Sequence, residues 1–142
     1  MESPEALASV YVCDIFKKVG ININIVPVDP NANLTRAMRI AAVGLRRNRI
    51  LLVFPEGERS FDGNLTAFKK GASILSVELN VPIVPVGIRG TFEAWPRGGN
   101  LQAHPVEIAI GDPIHPNGSG EAGNSYRRVN DTLREAVAQL LD

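Results

Sequence analysis

The chain has 142 residues, a formal net charge of zero, 44% apolar and 21% charged residues, and a single cysteine. Such a chain suits one globular domain that buries about 68–70% of its unfolded surface without a metal or disulfide. Cys13 has no partner for an intrachain disulfide, in keeping with a reducing compartment, and its apolar setting suits a small core residue better than a reactive thiol. No apolar run approaches the ~18 residues of a membrane span, and the N-terminus lacks the layout of a signal peptide. The chain is therefore expected to be soluble and cytoplasmic, with contact at the inner face of a membrane left open.

In chain order, Ser3-Pro4-Glu5 reads as a capped helix start, with Ala6, Leu7, Val10, Ile15 and Phe16 at helical spacing and Gly20 as the stop. Ile21 to Val28 alternates as a strand and is broken by Asp29-Pro30-Asn31. Asn33 caps a second helix with Leu34, Met38, Ala41, Ala42 and Leu45 on one face, and Arg46, Arg47 and Arg49 at its end. Ile50 to Phe54 is a continuous apolar run, the mark of a strand buried on both faces. Ala67 to Leu79 reads as a third helix. Val81 to Ile88 reads as a strand whose pairing Pro82 and Pro85 restrict. A loop over 89–103 holds Trp95, Val106 to Ile110 is another strand, 111–123 is loop, and Tyr126 to Leu141 closes the chain as an amphipathic helix. This order predicts an α/β fold with a mostly parallel sheet flanked by helices.

The neutral total covers an uneven layout. Residues 36–97 carry ten basic and five acidic groups, a net of +5, while both flanks are acidic. Such a middle segment is either a set of solvated helix faces or a surface that meets an anion.

The sequence VFPEGERSFDG, from Val53 to Gly63, leaves the fourth apolar segment through more polar groups than a turn requires. In an α/β sheet, ligands sit beyond the carboxyl ends of strands. Arg59 offers a planar fork of donors suited to phosphate or carboxylate. Gly57 permits close backbone approach, and Ser60 can donate a hydroxyl hydrogen bond. Lys69 and Lys70 are expected at the start of the next helix, whose N-terminus favours an anion. Glu56 either orients Arg59 or fixes the loop through backbone N–H groups. The simpler alternative is a turn with a surface ion pair. The phosphate-binding residues expected are thus Glu56, Gly57, Arg59 and Ser60, supported by Lys69, Pro82 and Pro85.

Other chemistries find little support. No nucleotide P-loop and no G-x-S-x-G elbow occurs, and no Cys or His spacing fits a metal. Aromatics are only 6%, without the basic–aromatic interleaving of a nucleic-acid binder. His104 and His115 are each followed by proline and read as ordinary surface or strand-edge residues.

The blocks FPEGERS at 54–60, DGNLTAFKKGASIL at 62–75 and VPIVPVGI at 81–88 resemble, in order and spacing, those of the glycerol-phosphate and lysophosphatidic acid acyltransferase family. Upstream, VGININIVPVDPNANLTRAMRIA resembles the family's second block, with Asp29 in place but Pro30 where many members have arginine. The resemblance implies transfer of an acyl chain from acyl-CoA or acyl carrier protein to a lysophospholipid or glycerol-phosphate hydroxyl, with no further cofactor. It also implies a catalytic N-H-x-x-x-x-D block, in which His serves as the base and Asp orients it. That block is absent: the residues five beyond His104 and His115 are Ala109 and Gly120. The expectation is an acyltransferase-like domain over residues 1–142 that lacks its N-terminal catalytic segment and is inactive alone. The alternatives are a non-catalytic lipid- or phosphate-binding module of the same fold, or an interaction domain of a multidomain lipid-activating enzyme. Expected partners are the lysophospholipid or glycerol phosphate, the acyl donor and a membrane surface, with no nucleic acid. A truncated sheet would also leave an edge or apolar patch that favours homo-oligomers.

Overall fold

The structure, a computed structural model, describes residues 34–116 and 122–142. The expected first helix, the strand from Ile21 to Val28, the Asn33 cap, Cys13, Asp29 and Pro30 lie outside the described residues. The chain divides into two compact units, Met1–Leu51 and Leu52–Asp142.

In the first unit, helix α1 spans Leu34–Arg46 and buries Ala37. Met38, Ala41, Ala42 and Leu45 are half-buried, as their spacing predicts, while Leu34 is exposed. Asn48, in the left-handed region at φ 56°, closes the helix, and Arg47 and Arg49 both return N–H bonds to the Gly44 carbonyl at 3.1 Å. Asparagine tolerates this conformation at helix ends better than most side chains do.

In the second unit, α2 spans Gly71–Leu79, β1 Val86–Arg89, α3 Thr91–Ala94, β2 Glu107–Ile110 and α4 Ala122–Leu141. Helix α2 begins later than the expected Ala67, and α4 begins earlier than the expected Tyr126. The loop expected over 89–103 contains the short helix α3.

Strands β1 and β2 pair antiparallel, with Val86 opposite Ile110 and Ile88 opposite Ile108. The mostly parallel sheet expected from the element order is not what the described residues form: β1 and β2 follow one another through a loop, a connection that antiparallel pairing accommodates. An antiparallel bridge between Ile83 and Ile114 extends the ladder. From Ile83 to Val86 the strand passes two residues, and its partner passes three, so the register shifts by one in a bulge. The bulge accommodates Pro85, which has no N–H, is fully buried, and accepts the Gly111 N–H at 3.0 Å. Pro82, by contrast, is exposed.

The segment from Ile50 to Phe54 forms no strand, and Leu52 and Phe54 are 75% and 67% exposed. A run apolar on both faces is buried as a strand only when neighbouring strands flank it, and no described strand pairs with it.

Helix α4 organises the second unit's core. Leu133 and Val137 pack with Phe68, and Leu65, Ile83, Ile114 and Leu141 surround them. Deleting one such side chain typically costs about 2–5 kcal/mol. Leu140 lies against Gly87, so α4 covers the face of β1 that Gly87 occupies. The opposite face, with Val86, Ile108 and Ile110, is exposed. Among the described residues, buried polar side chains are satisfied: Asn130 Nδ2 donates to the Phe68 carbonyl at 3.1 Å, and Ser73 Oγ donates to the Lys70 carbonyl at 2.9 Å.

Candidate anion-binding loop

Residues 54–69 form a loop closed on itself. The Lys69 N–H donates to the Pro55 carbonyl at 2.8 Å, and Gly57 N–H to the Phe54 carbonyl at 3.1 Å. One oxygen of Glu56, Oε2, accepts both the N–H and the hydroxyl of Thr66, each at 2.8 Å. Of the two roles open to Glu56, the structure shows the second: it fixes the loop through a backbone N–H and has no bond to Arg59. The far limb is tied to α4, where Arg134 Nε donates to the Thr66 carbonyl at 3.2 Å and Phe68 enters the core. Thr66 and Phe68 thereby anchor the loop to α4.

Gly57 sits at φ 79°, and a Cβ there would lie 2.6 Å from Lys69 Nζ. The left-handed φ favours a residue without a Cβ, and the flexible end of the Lys69 side chain occupies the space where a Cβ would point. Lys69 lies just before α2, whose N-cap is Lys70, and its ammonium end rests beside Gly57.

Ser60 works inside the loop. Its Oγ accepts the Gly63 N–H at 2.9 Å and lies 3.1 Å from the Asn64 carbonyl, to which it donates. Asp62 caps the same turn. Asn64 donates to it through both its side-chain amide, at 2.9 Å, and its backbone N–H, at 3.0 Å. The Asn64 side-chain bond, followed by the backbone bond, holds the Asp62 carboxyl below its ordinary pKa.

Arg59 reaches out of the loop. It is exposed, its Nη2 donates to the Trp95 carbonyl, and its guanidinium lies 4.6 Å from the centre of the Trp95 ring. One of five donors is used in this way, and among the described residues the others have no partner. Stacked on an aromatic face, a guanidinium keeps its edges free for an oxyanion.

Trp95 itself is held firmly. Gly90, at φ 81°, starts α3, and a Cβ there would fall 2.0 Å from the Pro105 carbonyl oxygen. Trp95 N–H donates to the Thr91 carbonyl at 3.0 Å, and Gln102 N–H to the Ala94 carbonyl at 2.8 Å. Phe92 rests against Gly63. Arg97 approaches from the same segment and pairs with Glu58 at 3.0 Å.

The structure thus brings Glu56, Gly57, Arg59, Ser60 and Lys69 into one loop, with Pro85 in the core and Pro82 outside it. Sequence reasoning missed Trp95 and Arg97. Their signal was an aromatic residue and a cation two positions apart in a loop, too common a pattern to single out.

The acyltransferase family model matches residues 6–89. The chain is 35% identical over 117 residues to the chloroplastic 1-acyl-sn-glycerol-3-phosphate acyltransferase of Arabidopsis thaliana, covering 81% of this chain and 31% of that protein. It is 35% identical over 82 residues to the 1-acyl-sn-glycerol-3-phosphate acyltransferase of Cocos nucifera, covering 58% of this chain and 26% of that protein. The crystal structure of the 1-acyl-sn-glycerophosphate (LPA) acyltransferase PlsC from Thermotoga maritima is similar at a TM-score of 0.63 and 32% identity, over 75% of this chain and 45% of that one. The chain spans about a quarter to a third of the length of these curated relatives. These likenesses support a glycerol-phosphate acyltransferase-like fold.

Proposed function

This chain belongs to the acyltransferase family, and we propose that its loop over 54–69 holds the phosphate of an acyl acceptor, a lysophospholipid or glycerol phosphate. The acyl donor in this reading is acyl-CoA or acyl carrier protein. The observation that carries the proposal is Arg59, lifted out of a closed loop onto Trp95 with most of its donors unengaged among the described residues. Lys69 adds a second positive charge on the same loop. Glu56 and Ser60 build the loop and leave the ligand to Arg59.

Neither histidine is followed by aspartate at the family's spacing, so the chain alone is expected to bind acceptor without transferring an acyl group to it. That sequence feature also favours a second reading, a non-catalytic lipid- or phosphate-binding module. Both readings place the chain at a lipid surface. No described helix is long and apolar enough to cross a membrane. A peripheral contact would draw on the exposed Val86, Ile108 and Ile110, which form one face of the β1–β2 pair.

Titration of the purified chain with lysophosphatidate and with a monoacylglycerol of the same acyl chain tests the proposal. Saturable binding of the first and not of the second is expected. Equal binding of both would show that phosphate is not what the loop reads.

A further inference from the structure

The 54–64 loop and the segment around Trp95 exchange arginines. Arg59 lies on the Trp95 ring and donates to the Trp95 carbonyl. In return, Arg97 lies 3.8 Å from the centre of the Phe61 ring and donates through Nη1 to Glu58 Oε2 at 3.0 Å and to the Arg59 carbonyl at 3.2 Å. Each segment gives one guanidinium and offers one aromatic face. The exchange fastens the loop on both sides of Arg59.

Glu58 is the neighbour of the phosphate-holding candidate, and its carboxylate carries the wrong charge for an anion site. Unpaired, it would compete for the Arg59 guanidinium and repel an incoming phosphate. Arg97 neutralises it. The same guanidinium holds the peptide carbonyl of Arg59, which fixes where that side chain leaves the backbone. A lysine could supply the charge, but not a planar guanidinium that lies over the Phe61 ring while its Nη1 bonds both a carboxylate and a carbonyl.

We propose that Arg97 and Trp95 are positioning residues of the anion site: Arg97 removes Glu58 from competition and clamps the Arg59 backbone, and Trp95 carries the Arg59 guanidinium toward a phosphate. This rests on the reading of the 54–69 loop as a phosphate-holding loop.

Trp95 is the single tryptophan of the chain, so its emission reports the stacking without a label. Trp95 is 52% exposed, open enough to a quencher and still partly covered. In the ligand-free chain, Arg97→Ala is expected to raise acrylamide quenching of Trp95 toward the level of Arg59→Ala, with far-UV circular dichroism unchanged. Arg97→Lys should fall between Arg97→Ala and the parent. Quenching in Arg97→Ala equal to the parent's would overturn the positioning role. If Arg97→Ala does not fold, Arg97→Lys and Arg97→Gln carry the same comparison.

The second arm uses sn-glycerol 3-phosphate as probe. Arg97→Ala should weaken binding about tenfold, and adding Glu58→Gln should recover at least about threefold of that loss. Arg127→Ala, an equal loss of charge at an exposed position of α4, should cost less than about threefold. Equal losses for Arg97→Ala and Arg127→Ala, with no recovery by Glu58→Gln, would make Arg97 a general surface charge and overturn the proposal. No binding by the parent chain would overturn the phosphate reading and the assignment of Arg97 to an anion site. The quenching arm would then still decide whether Arg97 holds Arg59 on Trp95.

Discussion

Glu56 and Thr66 are joined across ten residues of loop by a single carboxylate oxygen that accepts two hydrogen bonds, each 2.8 Å long. The pair closes the limb that carries Arg59 onto the limb that enters the core at Phe68. Removing the carboxylate by Glu56→Ala should open the loop locally without unfolding the helix pair beneath it. A closing contribution of about 1 kcal/mol corresponds to roughly fivefold faster exchange of the Thr66 amide hydrogen. Glu56→Gln, which keeps an accepting oxygen, should exchange more slowly than Glu56→Ala. Hydrogen exchange at Thr66 that is the same in all three proteins would refute the closure.

Gly57 makes a second test. Its φ of 79° is strained for a residue with a Cβ, whereas the Lys69 side chain that crowds the position can move aside. Gly57→Ala should therefore destabilise the chain by more than about 1 kcal/mol, a fall of roughly 2–4 °C or more in melting temperature. Gly57→Asn should melt closer to the parent, because asparagine tolerates the left-handed region. Identical melting of the two variants would show that crowding, and not φ, decides the residue.

Asp62 gives the loop a dependence on acid. Its folded-state pKa lies below the ordinary value because Asn64 donates to it, first through the side chain and then through the backbone. A carboxyl depressed in this way contributes fully above its unfolded pKa and loses that contribution as pH falls through the folded one. Urea unfolding of the parent and Asp62→Asn should therefore show a stability difference that is constant near neutrality and shrinks below the ordinary aspartate range. A difference that stays constant through the acid range would contradict the assignment.

Much of the second unit was legible in the sequence. The amphipathic pattern from Tyr126 to Leu141 marked α4, because a 3.6-residue period leaves few alternatives, and Val129, Leu133 and Val137 form its buried face. The alternation from Val106 to Ile110 marked β2. The sequence did not reveal pairing. An apolar run such as Ile50 to Phe54 states that a segment can be buried, whereas burial itself depends on neighbours that the run does not name. Pro85 restricted the strand as expected, yet its bulge follows from the partner's extra residue, which only the register shows. At the loop, Gly57 and Arg59 were legible from residue chemistry. The roles of Glu56 and Ser60 in building the loop, and the support from Trp95 and Arg97, depend on contacts up to 39 positions apart.

Calorimetric titration of lysophosphatidate into the parent chain and into Arg59→Ala asks whether Arg59 meets the phosphate of an acyl acceptor. Saturable binding by the parent is expected, with a loss of about 1.5–3 kcal/mol in the variant, roughly 10- to 150-fold in affinity, the scale of a charge-assisted hydrogen bond. Equal affinity of the two proteins would contradict it.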